Sequence, residues 1–145
     1  SNWDFVLGKL AYSSLGRQAN FLIKAEWFLF PFNIFFKNIG GIPVNRDRNE
    51  SLTSKLSKEF QNREWMHLGI TPEGTRKPVK EWKKGFYFIA VKANVPILLV
   101  ALDYEKKEAR TLDMFYPTGD YRSDIVKIRA CFKDIKAKNP DNYIP

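Results

Sequence analysis

Apolar positions along the chain fall into short runs separated by charged or turn-forming segments, and the spacing inside each run predicts alternating helices and strands. Asn2 and Asp4 are helix-capping residue types, and Phe5, Val6, Leu10 and Leu15 follow one helical face that ends near Gly16. Residues 20–24 read as a strand. Residues 25–36 are crowded with aromatic and aliphatic side chains, and Pro31 divides them into a turn or short helix and a second helix that has Pro31 near its first turn. Residues 42–44 form a short strand, where Pro43 suits a sheet edge or a strand start. In 51–61 the spacing of Leu52, Leu56 and Phe60 predicts a capped helix. Residues 66–71 read as a buried strand, and 85–93 as a helix that turns Phe86, Ile89 and Ala90 to the sheet.

The run 95–102 is almost continuously apolar, the pattern of a strand covered on both faces in a parallel sheet. A strand over 110–115 follows. Pro117, Thr118, Gly119 and Asp120 then turn the chain into a helix from about Tyr121 to Lys136, with a stripe of Ile125, Ile128, Phe132 and Ile135. Strands alternating with helices predict an α/β layered fold, with a largely parallel central sheet flanked by helices, as a single domain over 1–145.

Composition narrows the function. The 145 residues are 44% hydrophobic and 15% aromatic without repeats or low-complexity tracts, which excludes disorder and solenoids. A formal charge of +8 favours an anionic partner. Nucleic acid is disfavoured, because the aromatics cluster with Leu and Ile and do not alternate with Arg and Lys. Cys131 is the only cysteine, so no intrachain disulfide forms; a reducing compartment is expected, with Cys131 as a core thiol. No segment has the length and hydrophobicity of a membrane span. Core packing is expected for most of the aromatic block at 25–36; the competing reading is lipid contact, favoured by flanking Lys24 and Lys37.

Two segments carry candidate chemistry. Residues 66–71 empty into Pro72-Glu73-Gly74-Thr75-Arg76, which sets a loop with a carboxylate and a guanidinium at the carboxyl edge of a sheet, where open α/β folds bind ligands. Gly40-Gly41-Ile42-Pro43-Val44-Asn45-Arg46 delivers a second guanidinium from a second strand end. Paired Arg forks suit a phosphate, because each engages two oxygens and stays charged at any working pH. Gly74 permits a positive φ or a close backbone approach to a ligand, and Thr75 supplies a hydroxyl donor. His67 is the sole histidine and reads as structural, because it begins the strand whose far end carries Glu73.

Together with Ser1-Asn2-Trp3-Asp4 and Val95-Pro96-Ile97-Leu98, these segments resemble the four ordered blocks of the glycerolipid acyltransferases, which acylate glycerol 3-phosphate or 1-acylglycerol 3-phosphate. The resemblance covers nearly the whole chain. It implies that Arg46, Glu73, Gly74, Thr75 and Arg76 bind the acceptor and that Val95, Pro96 and Ile97 belong to the acyl-donor region. It also implies that Asp4 orients a catalytic His. The family's first block is His-x4-Asp, which places that His two residues upstream of Ser1, so the domain is expected to be truncated at its N-terminus and inactive as it stands.

The implied reaction moves an acyl group from acyl-CoA or acyl carrier protein to lysophosphatidate or a related lysolipid. It needs no metal or redox cofactor and takes place peripherally at the cytoplasmic membrane face. Lys77, Lys80, Lys83 and Lys84 either meet coenzyme A phosphates or anionic headgroups, or form a solvated basic loop. The alternatives are acylation of glycerol 3-phosphate or a lyso-aminolipid, or a non-catalytic lipid-binding domain of the same fold.

Overall fold

Strand β1 (Asn20–Lys24) lies at the centre of a three-stranded parallel sheet, between β2 (Gly41–Val44) and β3 (Leu68–Gly69). Phe21 faces Gly41 and Lys24 faces Val44 on one side, while Asn20 and Phe21 face Leu68 and Gly69 on the other. The computed structural model describes Gly8, Leu10, residues 12–14, 16–44 and 51–74, Val79, and residues 81–137. Gly8, Leu10 and residues 12–14 are helical. Gly16 closes that helix with a φ of +69° and donates its N–H to the Ser13 carbonyl.

Helices make the parallel crossovers. A 3-10 turn (Ala25–Trp27) and helix α1 (Phe32–Asn38) connect β1 to β2. Helix α2 (Leu52–Gln61) connects β2 to β3 and starts at Ser51, whose hydroxyl accepts the Ser54 N–H at 3.2 Å. Helix α3 (Gly85–Ala93) follows and stops at Asn94, a residue type that tolerates the left-handed conformation it adopts here. Pro43, unable to donate to a ladder, sits on edge strand β2, as its sequence position predicts.

Among the described residues two apolar clusters form the core, and α3 serves both. Ile89 joins Ile42, Leu56 and Met66 beneath the parallel sheet. Tyr87, two residues earlier, joins Trp82, Leu99 and Ile128 beneath a second sheet. This second sheet is an antiparallel hairpin of β4 (Ile97–Asp103) and β5 (Glu108–Phe115), followed by helix α4 (Tyr121–Ala130). Lys92 on α3 reaches Ser54 on α2 at 2.7 Å, tying the two helices together at the surface.

The α/β fold with a parallel sheet flanked by helices is as the sequence predicts, with four corrections. First, β4 is covered on one face only: Leu99 and Ala101 are buried, while Leu98 and Val100 are exposed. Its partner runs antiparallel, and a continuous apolar run does not reveal whether a second layer lies above it. Second, the strand expected over 66–71 pairs only at Leu68 and Gly69, although Met66 still enters the core. Third, the last helix ends at Ala130, and the chain continues in turns with i→i+3 bonds that keep Phe132 and Ile135 on the core. Fourth, the aromatic block is mostly outside the core: Trp27, Leu29, Phe30, Phe32, Ile34 and Phe35 are exposed. Cys131 is half-buried beside the second cluster. Among the described residues, no helix is long and apolar enough to cross a membrane.

Candidate active site at the carboxyl edge of the parallel sheet

Because β1, β2 and β3 run parallel, their carboxyl ends share one edge. The 3-10 turn leaves that edge after Lys24, and β2 ends there at Val44. Beyond Gly69 the chain forms the loop containing Pro72, Glu73 and Gly74. Arg46, Thr75 and Arg76 follow these strand ends in sequence but lie outside the described residues, as does Asp4.

The loop after β3 is held by backbone bonds. The Gly74 N–H donates to the Thr71 carbonyl at 3.2 Å, and the Pro72 carbonyl accepts the Lys83 N–H at 2.8 Å. Gly74 has a φ of +61°, which favours glycine, and a methyl group there would stand 2.8 Å from Cε and Nζ of Lys83. The end of the Lys83 side chain therefore lies against Gly74. Glu73 is half-buried and makes its own contacts. On β2, Lys55 donates to the Pro43 carbonyl at 3.0 Å, one residue before the strand end.

Lys83 and Lys84, adjacent in sequence, have separate surroundings. Trp82 anchors the pair: it is buried, with edge contacts to Phe86 and Phe132 at centroid distances of 6.4 and 5.6 Å. From that anchor Lys83 returns to the Gly74 loop, whereas Lys84 caps α3 and lies 5.2 Å over the Tyr121 ring. Sequence reasoning grouped both with Lys77 and Lys80. The buried Trp between two basic stretches was the available signal that part of this loop is fixed.

The glycines of the second block have a structural task at the opposite edge. Gly40 has a φ of +89°, and a Cβ there would meet the Ala19 carbonyl oxygen at 2.9 Å. A Cβ at Gly41 would stand 2.8 Å from both Ile23 Cδ1 and the Phe36 carbonyl oxygen. The pair lets α1 and β2 close tightly on β1. Val95 and Pro96 link α3 to β4, with the Val95 N–H donated to the Ala90 carbonyl, and Ile97 begins the strand.

His67 lies at the amino edge, immediately before β3. Its Nδ1 is 2.8 Å from the Tyr12 hydroxyl, and its carbonyl accepts the Asn20 N–H. Gly16, Arg17, Gln18 and Trp65 line a cleft with it there. The parallel sheet separates this histidine from the Glu73 loop.

A buried polar network that sequence reasoning missed fastens α3 to α4. Asp124 Oδ2 accepts from the Tyr87 hydroxyl at 2.8 Å and from the Thr118 N–H and hydroxyl at 2.7 and 3.0 Å. The Tyr87 oxygen accepts the Gly119 N–H at 3.0 Å. Burial by itself raises the Asp124 pKa, but the Thr118 and Tyr87 hydrogen bonds and the Lys127 ammonium outweigh it and hold the carboxyl below its ordinary value. Burial, then the hydrogen bond to Asp124, pushes the Tyr87 phenol up. The network belongs to the fold: it joins elements of the second core cluster.

Neither a search of curated proteins nor a search of solved structures returns a match. The family model described as Acyltransferase matches residues 1–103, from the first block through the end of β4, and leaves β5 and α4 outside the match. That span holds the parallel sheet, its three carboxyl ends and the loop pinned by Lys83, and the chain belongs to the acyltransferase family of the glycerolipid type.

Proposed function

We propose that this domain transfers a fatty acyl group from acyl-CoA or acyl carrier protein to the free hydroxyl of lysophosphatidate or a related lysolipid, in phospholipid synthesis at the cytoplasmic face of a membrane. The observation that carries the reading is the Pro72–Gly74 loop at the carboxyl edge, fixed by its hydrogen bond to Lys83 and overlaid by that lysine. The resemblance assigns Arg46, Glu73, Gly74, Thr75 and Arg76 to the acceptor and Val95, Pro96 and Ile97 to the donor region. Lys83 adds a cation to the acceptor side, and the chain's +8 charge suits a phosphate-bearing substrate.

In this reading the first-block His takes the proton of the acceptor hydroxyl, and Asp4 holds the imidazole and stabilises its protonated form. The hydroxyl oxygen attacks the thioester carbonyl, and the tetrahedral adduct expels the thiolate. The imidazolium returns the proton to sulfur, releasing a free thiol and an ester. Arginine and lysine at the sheet edge hold the acceptor phosphate and bring its hydroxyl to the base.

The test is transfer of labelled acyl groups from acyl-CoA and, separately, from acyl carrier protein to lysophosphatidate by this chain and by a chain that carries the family's first-block His ahead of Ser1. Activity confined to the extended form is the expected result. Inactivity of the extended form with both donors, alongside retained lysolipid binding, would favour the non-catalytic lipid-binding reading.

A further inference from the structure

We infer that residues 27–35 are a membrane-docking element that seats the carboxyl edge of the sheet on an anionic phospholipid bilayer. Six large apolar side chains in this one segment face outward, with Trp27, Leu29 and Phe30 at 63%, 69% and 80% exposure. An apolar cluster of this kind on a folded surface marks an interaction site.

The segment is held firmly by its inner face. Phe28 lies 5.7 Å from Phe36 between ring centroids, and the Phe28 ring and the Phe36 backbone carbonyl both lie against Gly41. Backbone bonds from Phe28 to Ala25, Asn33 to Leu29 and Ile34 to Pro31 fix its path. The outward residues thus sit on a fixed support.

Charge and position favour a bilayer as the occupant. Exposed Lys24 and Lys37 bracket the segment, and within 24–37 these two basic residues stand against one acidic residue, Glu26. Cations beside exposed Trp and Phe suit the boundary between anionic headgroups and acyl chains. The segment starts at the edge from which the Glu73 loop emerges, directly after Lys24, before α1 runs back to Gly41, so docking through its first residues would set that edge beside the surface that presents a lysolipid. The inference rests on the proposed function for that benefit alone; membrane binding itself is measured without substrate.

The experiment is co-sedimentation of the chain with phosphatidylcholine vesicles, with and without phosphatidylglycerol, at low and high salt. Binding to the anionic vesicles should persist at high salt, because apolar insertion is not screened. Trp27→Ser/Phe30→Ser/Phe35→Ser should weaken it at least about tenfold, with an unchanged circular dichroism spectrum, because these side chains lie outside the core. Independently of that variant, bromine-labelled acyl chains should quench the fluorescence of the unmutated chain, and Trp27→Phe should lose part of the quenching.

Equal binding by the triple variant, or no vesicle binding by the unmutated chain, overturns the inference. A dimer that the triple variant dissociates, without vesicle binding, overturns it in favour of a second copy. Transfer to a dispersed short-chain acceptor without vesicle binding also defeats docking while preserving the proposed function. Vesicle binding by a first-block-extended chain that transfers no acyl group supports docking and defeats the proposed function.

Discussion

Lys83 lies against Gly74: its backbone N–H ties down Pro72, and its ammonium stands 2.8 Å from where a Gly74 Cβ would be. Lys84 instead covers the Tyr121 ring. If the loop receives a phosphate, the two lysines separate in a kinetic assay. In the extended chain, Lys83→Ala should lower kcat/KM for lysophosphatidate about 10-fold or more, as for loss of one charged hydrogen bond. Lys84→Ala should leave kcat/KM within about twofold and remove only about 0.5–1 kcal/mol of stability. Equal effects of the two would remove Lys83 from the acceptor site.

Gly74→Ala places a Cβ in a left-handed conformation, at a cost of about 1–2 kcal/mol. The close neighbour is the flexible end of Lys83, which can move aside, so the fold should survive while the lysine is displaced. Denaturant unfolding should register the modest stability loss, and acyl transfer should fall at least as far as in Lys83→Ala.

Gly41→Ala meets backbone, because the Phe36 carbonyl oxygen would be 2.8 Å from the new methyl. That oxygen moves only with α1. The expected loss is about 1–3 kcal/mol, as for other insertions into tightly fitted sites. A melting temperature equal to that of the parent chain would show that α1 is less closely seated than its geometry indicates.

The Tyr87–Asp124 pair sets two limits on stability with pH. The Asp124 carboxyl is held below its ordinary value, so the unfolded chain binds the proton more readily. This increment of stability is complete above about pH 4, the unfolded pKa, and is lost as pH falls through the lower folded value. The Tyr87 phenol is raised, so its contribution is complete below about pH 10 and is lost as pH climbs through the raised value. Urea unfolding across pH should show that Asp124→Asn flattens the acid limb and Tyr87→Phe the alkaline limb. Each should also cost about 1–3 kcal/mol at neutral pH through the buried partners left unsatisfied.

Much of the parallel half was legible in the sequence because local signals agree there. Ser51 before a four-residue apolar spacing, Pro31 before an aromatic helix, and Pro43 on an edge strand each have a local cause. The loop at Glu73 and Gly74 was legible from composition at a strand end. What was not legible depends on partners distant in sequence. The run 97–103 is apolar on both sides, yet its antiparallel mate leaves Leu98 and Val100 uncovered. Phe30 and Phe35 carry the hydrophobicity of core residues, and only the tertiary arrangement turns them outward. Asp124 reads as an ordinary surface residue of a helix until Tyr87, 37 positions away, closes over it.

The most direct measurement compares two acceptors in a chain that carries the family's first-block His ahead of Ser1: lysophosphatidate and the monoacylglycerol that differs from it only by lacking the phosphate. With acyl-CoA as donor, transfer to lysophosphatidate should exceed transfer to monoacylglycerol by about 100-fold or more in kcat/KM, and Lys83→Ala should narrow the gap. Equal rates with the two acceptors, or transfer to neither, would contradict a phosphate-binding acceptor site at the carboxyl edge.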